Sequence, residues 1–167
     1  MMNQTKNRAA VALTGIAAFG WVVLLAVGMI SGSARAEVKF KEGTLAEAQK
    51  IAAKEKKIIM IDFYTDWCGW CKKLDHSTYS SEELGKYADE NIISIKVNAD
   101  DKGGVGSAFS HKLGITGFPT IVFFDATGKE IHRVVGFKNA PEFIQDMMTA
   151  VDKNSKIGMK ATGSNTK

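Results

Sequence analysis

Sulfur chemistry is scarce in this chain. Its 167 residues include two cysteines, Cys68 and Cys71, and no second pair. A structural zinc site draws on about four ligands, usually as two clustered pairs. The three histidines, His76, His111 and His132, are scattered and share no ligand spacing. No metal centre is therefore expected. Internal repeats are also absent. Acidic residues are missing from the first 36 positions, which hold Lys6, Arg8 and Arg35. Without that segment the chain has 19 basic and 18 acidic residues, so the overall charge of +4 reflects mainly the leader and a lysine-bearing tail. So even a balance implies no nucleic-acid partner.

What the first 36 residues do have is an apolar run from Ala9 to Ile30 behind Lys6 and Arg8, then "SARA" at positions 33–36. This is the n-region, h-region and A-x-A order of a secretory signal, with processing before Glu37. The run is also long enough, at about 30 Å as a helix, to stay as an uncleaved anchor in the inner membrane. Either way, residues 37–152 are expected to form one exported domain, periplasmic in a cell with two membranes, followed by a disordered polar tail over 153–167.

Within that domain, "EVKF" opens as a short strand. Thr44 and Glu47 have capping-box spacing ahead of a helix with Leu45, Ala48 and Ala52 on one face. "KIIMIDFYT" is a nearly unbroken apolar run, as expected of a strand covered on both sides. Ser80 and Glu83 repeat the capping spacing before "ELGKYADE", "IISIKV" is a strand, and Val105, Phe109 and Leu113 mark a further helix. "TIVFFDATGKEIHRVV" reads as a hairpin around Gly128. Asn139 caps a last helix with Phe143, Ile144, Met147, Met148 and Val151 as its stripe. The order β-α-β-α-β-α-β-β-α predicts an α/β fold: parallel strands with crossover helices plus an antiparallel edge, in a mixed sheet between helix layers.

The two cysteines sit where the second strand gives way to a helix. A staple across so short a loop would remove only about 2 kcal/mol of unfolded-state entropy, which an α/β core hardly needs. A redox pair fits the placement better. Cys68 at a helix N-terminus would feel the unpaired amides and positive dipole end that favour thiolate. Cys71, one turn in, is placed to attack a mixed disulfide formed by Cys68, and Gly69 lets a partner approach. Asp62 interrupts the apolar run. It is either a buried acid with a raised pKa, suited to take the proton of Cys71, or a strand-end acid bonded to backbone or to Lys96. Pro119 in "TGFPT" either carries a cis bond beside a substrate-pairing Phe118 backbone or simply initiates a strand. Trp67 and Trp70 offer flat apolar surface beside the thiols, Trp70 more as a contact and Trp67 more as packing.

Taken together, "DFYTDWCGWCKKL", "VNADD", "LGITGFPTIVFFDATGKEI" and "VVGF" resemble the thioredoxin superfamily, and within it the periplasmic C-terminal domains of thiol:disulfide interchange proteins of the DsbD type. The resemblance covers Thr44 to Val151. It implies a thioredoxin fold, with Cys68 as attacking and Cys71 as resolving thiol, Asp62 as buried acid, Lys96 as its partner, Pro119 as the cis-proline and Gly136 lining the site. The implied activity is disulfide reduction in exported proteins, with the Cys68–Cys71 disulfide in place of any cofactor. Trp70 stands where the family has proline or histidine, so the redox potential does not carry over. No multi-span electron-delivering domain accompanies the motif, so electrons would come from a separate, membrane-bound donor protein. An isomerase or oxidant, and a redox-inert binding or chaperone module using the Phe118–Pro119 surface, are the alternatives.

Overall fold

The computed structural model describes residues 37–163, so the expected leader and the last four residues lie outside the described part. Its elements are β1 (Phe40–Lys41), α1 (Leu45–Glu55), β2 (Ile58–Tyr64), α2 (Gly69–Leu74), α3 (Glu82–Asn91), β3 (Ile92–Asn98), α4 (Val105–Lys112), β4 (Thr120–Phe124), β5 (Glu130–Val135) and α5 (Ala140–Gly163). A π-helical turn, Asp75–Tyr79, continues α2 without a break. The second crossover is thus made of two helical pieces meeting at Ser80. The five strands form one sheet in the order β1-β3-β2-β4-β5, parallel from β1 to β2 and antiparallel from β2 to β5.

Strand alternation divides the apolar run of β2 between two cores. Ile58 and Met60 face a layer containing Leu74, Tyr79, Leu84, Phe143 and Met147. Ile59, Ile61 and Phe63 face Ala48 and Ala52 of α1 together with Ile115. Both faces being covered explains why β2 lacks the polar alternation of a half-exposed strand. Because the period is two, Asp62 shares the side of Ile58 and Met60, and its partner in register is Lys96 of β3.

Both expected caps of α1 and α5 are present. Thr44 Oγ1 accepts from the Glu47 amide at 3.3 Å, while Glu47 Oε2 accepts from the Thr44 amide at 2.8 Å. Asn139 Oδ1 accepts from the Glu142 amide at 3.0 Å.

Four details differ from the sequence reading. The N-cap of α3 is Ser81, whose Oγ accepts from the Leu84 amide, whereas Ser80 turns back to the His76 carbonyl at the end of the π turn. Val105 is exposed because it lies in the first turn of α4, away from the sheet. Met148 is exposed because the buried stripe of α5 runs Phe143, Met147, Ala150. The chain past Asp152 is not disordered over its described length: α5 continues to Gly163. Once the packed turns have formed, each added residue needs only its own hydrogen bond. No proline intervenes, and Lys156 pairs with Asp152 at 2.8 Å. None of the described helices is long and apolar enough to cross a membrane.

Candidate active site

The turn after β2 is closed by the Cys68 amide donating to the Thr65 carbonyl at 3.1 Å. It delivers Cys68 in extended conformation to the N-cap of α2. There its sulfur accepts from the Cys71 amide at 3.1 Å. One turn of helix brings the two residues together, and they form a disulfide. Cys68 remains 5% exposed and Cys71 2%. The site is reached from the Cys68 side, where a Cβ on Gly69 would meet nothing.

Two loops complete the rim. The Phe118–Pro119 peptide bond is cis. Gly136 follows β5 with φ of +85°, a conformation in which a side chain is strained, and its amide donates to the Pro119 carbonyl at 2.8 Å. The tryptophans stand on opposite flanks. Trp67 meets Phe118 edge-on at 6.0 Å, and its indole donates to Asp100 at 2.9 Å. Trp70 tilts against Phe137 at 5.6 Å, with Lys73 over both rings. Trp67 thus has partners for both its ring and its N–H, yet remains the more exposed of the two.

On the inner side of this helix lies Asp62, with no exposed surface. Neither carboxyl oxygen has a hydrogen-bond partner, and Lys96 Nζ stands 3.5 Å away. Burial therefore dominates: the pKa is pushed up from 3.8 to about 6, against the opposing pull of Lys96. Both readings left open by the sequence meet here: the acid is buried with a raised pKa, and Lys96 pairs with it at 3.5 Å. Lys96 contacts it, but makes its hydrogen bond to Asp75. The ammonium also sits 5.1 Å from the ring centre of Phe40, 5.0 Å from that of Tyr64 and 5.7 Å from that of Tyr79. Tyr79 is itself buried, its hydroxyl unbonded, and burial followed by the Asp62 charge pushes its pKa well above 10.0.

Asp75 and Tyr79 were not singled out from the sequence. Their signal was their spacing, four and eight residues after Cys71, which a continuous helical stretch through the π turn converts into proximity to Asp62. π turns inside helices recur at functional positions for this kind of re-aiming.

The reactive pair occupies a rim rather than a hollow. A cleft of about 580 Å³ lies between α1 and α4, floored by Ile61, Ile95 and Phe109, and neither cysteine lines it. A partner for the disulfide must bring its own surface to an exposed patch.

A thioredoxin-like domain model matches residues 45–150. Thiol:disulfide interchange protein DsbD of Yersinia enterocolitica is 31% identical over 170 aligned positions, covering 81% of this chain and 29% of that protein. The chain therefore spans less than a third of that relative's length. Among solved structures, a putative disulphide-isomerase from Bacteroides thetaiotaomicron superposes with a TM-score of 0.61 at 29% identity, covering 69% of this chain and 93% of that one. The oxidised C-terminal domain of Neisseria meningitidis DsbD gives 0.50 at 26% identity, covering 60% and 86%.

Proposed function

The chain belongs to the thioredoxin-like family of thiol–disulfide oxidoreductases, and on that footing we propose that it is an exported reductase of protein disulfides. The observation that carries the reading is the Cys68–Cys71 pair at a helix N-terminus, backed by a buried acid and open to large partners.

In the reduced protein, the Cys68 thiolate attacks one sulfur of a client disulfide. A Cys68–client bond forms and the other client sulfur leaves as thiolate. Asp62, ionised at neutral pH, takes the Cys71 proton, and Cys71 attacks Cys68 Sγ. The second client sulfur leaves and the Cys68–Cys71 disulfide remains. Two electrons pass to the client, which takes up two protons in becoming a dithiol. Lys96 limits the rise in the pKa of Asp62, so that the acid is mostly charged when needed. Phe118, Pro119 and Gly136 form the rim against which the client chain lies, with Trp67 and Trp70 at its flanks. No cofactor beyond the disulfide takes part, and a separate electron-donor protein, membrane-bound, restores the dithiol.

The direction follows from charge. No cation lies between the cysteines in sequence, and Asp66 and ionised Asp62 both oppose a negative sulfur. Lys72 and Lys73 act the other way, but as exposed helix residues they are largely screened by water and salt. The reduced form is therefore not specially stabilised, and the potential should lie nearer the ~−270 mV of thioredoxin than the ~−120 mV of a strong oxidant. Equilibration of the domain with glutathione buffers measures this. A value above about −180 mV would replace the reductase by an isomerase or oxidant. Cys71→Ser should accumulate mixed disulfides with client proteins and Cys68→Ser should not; trapping by neither would leave a redox-inert binding module. Export rests on the leader pattern: the exported form should begin at Glu37, and a membrane-bound chain retaining Trp21 would show an anchor instead.

A further inference from the structure

The two aromatic flanks of the disulfide carry opposite charge. Beside Trp67, its indole donates to Asp100 at 2.9 Å, and Asp66 accepts from Asn98 at 3.2 Å. Beside Trp70, the Lys73 ammonium lies 4.9 Å from the Trp70 ring centre and 4.7 Å from that of Phe137, and Lys138 follows directly in the chain. Among the described residues, neither carboxylate has a basic partner within 4.0 Å and neither ammonium an acidic one.

Unpaired surface charges contribute little to folding, and most are simply solvated. These differ in two respects. Three of the four are oriented: one by an indole N–H, one by an amide and one by two ring faces. They also differ in sign between the two tryptophans that flank the cysteine motif, the acids on the side of Trp67 and Lys73 against Trp70, and these rings are 68% and 57% exposed. Charges of this kind act on encounter and choice of partner, through complementarity with whatever lies across them.

We propose that this rim selects clients by charge, favouring disulfides whose reacting cysteine lies between a basic residue, seated at Asp66 and Asp100, and an acidic residue, seated at Lys73 and Lys138. The inference rests on the redox reading above and adds the kind of polypeptide segment that the site accepts.

Three short peptides of equal net charge test it, each with one cysteine as a mixed disulfide with 2-mercaptoethanol. Two carry lysine and glutamate two residues to either side of the cysteine, in the two possible orders; the third carries glutamine at both places. Rates are measured with the fully reduced protein. At about 20 mM salt one of the charged peptides should react about fivefold faster than the glutamine peptide, and at about 0.5 M salt the advantage should disappear. In the double variant Lys73→Glu, Lys138→Glu it should disappear at low salt too. Because the readout is a ratio between peptides, changes in intrinsic thiol reactivity cancel. If neither charged peptide exceeds the glutamine peptide by more than about twofold, or if the advantage survives salt or charge reversal, the proposal is overturned. Failure to reduce the uncharged bis(2-hydroxyethyl) disulfide would instead remove the redox reading, and this inference with it.

Discussion

Over its first four rungs the β2–β3 ladder pairs Ile58 with Ile92, Ile59 with Ile93, Met60 with Ser94 and Ile61 with Ile95; at the fifth it pairs Asp62 with Lys96. The backbone is the same and the register uninterrupted. At the first end, side chains are buried on both faces and the helix layers close over them. At the second, a carboxyl group is held equally deep without a hydrogen bond to either oxygen. Left to itself that position would be unfavourable by several kcal/mol when charged. The isoleucine end offsets it. One end of the ladder stabilises the fold, and the other uses that stability to hold an acid away from water beside the sulfur-bearing helix.

The largest effect is expected where the comparison is purely apolar. Ile59→Ala should lower the unfolding free energy of the oxidised protein by about 2–5 kcal/mol, since Ile59 is fully buried beneath α1. Urea denaturation measures the loss, and the rate at which the reduced, folded protein attacks a small disulfide should change little. A loss below about 1 kcal/mol would mean that this end is not what holds the sheet.

Asp62→Asn should act with the opposite sign, and only where the acid is charged. The folded-state pKa of about 6 exceeds the ordinary 3.8, so the folded form holds the proton more tightly. Wild-type stability should then fall as pH rises from about 4 to about 7, by roughly 3 kcal/mol at most. The asparagine variant lacks this fall. It should match or trail wild type at pH 4 and exceed it at pH 8, while resolving mixed disulfides more slowly because no base receives the Cys71 proton. A wild-type urea midpoint that is flat across this range would contradict the buried-acid account.

Much of this contrast can be read without coordinates. A single acid in "KIIMIDFYT" followed at once by CxxC marks both the strand and its exceptional rung, and alternation assigns Asp62 to one face. Lys96 as its partner is an open alternative that the family resemblance favours, and only the register of β2 and β3 in the structure sets the two side by side. What could not be read is the neighbourhood on the helix side. Asp75 and Tyr79 look like ordinary positions of a polar helix, and only the π turn brings them to bear on Asp62. Trp70 is legible as a contact, but Trp67, read more as packing, is the more exposed of the two. Lys73 lies three residues after Trp70 on the same helix, whereas Phe118, Asp100 and Phe137 come from separate segments that no local pattern links. The end of α5 escapes the sequence for a simpler reason: polar composition describes an exposed helix as well as a disordered tail.

Asp75→Asn sharpens the comparison at its polar end. Asp75 raises the pKa of Asp62 by its charge and holds the ammonium of Lys96. Without that charge, Asp62 should titrate at lower pH, and Lys96 would be free to turn to it, which acts in the same direction. The midpoint of the wild-type stability decline should therefore move down, by less than the whole effect that Asp62→Asn removes. An unchanged midpoint would show that Asp75 lies outside the coupled group.

The smallest effect tests whether the division of labour extends to the helix ends. The N-terminus of α1 is closed by a reciprocal box, Thr44 Oγ1 receiving the Glu47 amide and Glu47 receiving the Thr44 amide. The N-terminus of α2 is capped by the Cys68 sulfur alone, with no acidic residue in its first turn. Orphan amides are thus tied up for stability at one helix and left facing the reactive atom at the other. Thr44→Ala should cost about 1 kcal/mol in urea denaturation, the usual size of a lost cap. It should leave the equilibrium with glutathione within about a factor of two of wild type, a shift of under about 10 mV for two electrons. A larger shift would mean that α1 is coupled to the disulfide through the sheet, and that the two ends of the molecule are less separate than their hydrogen bonds imply.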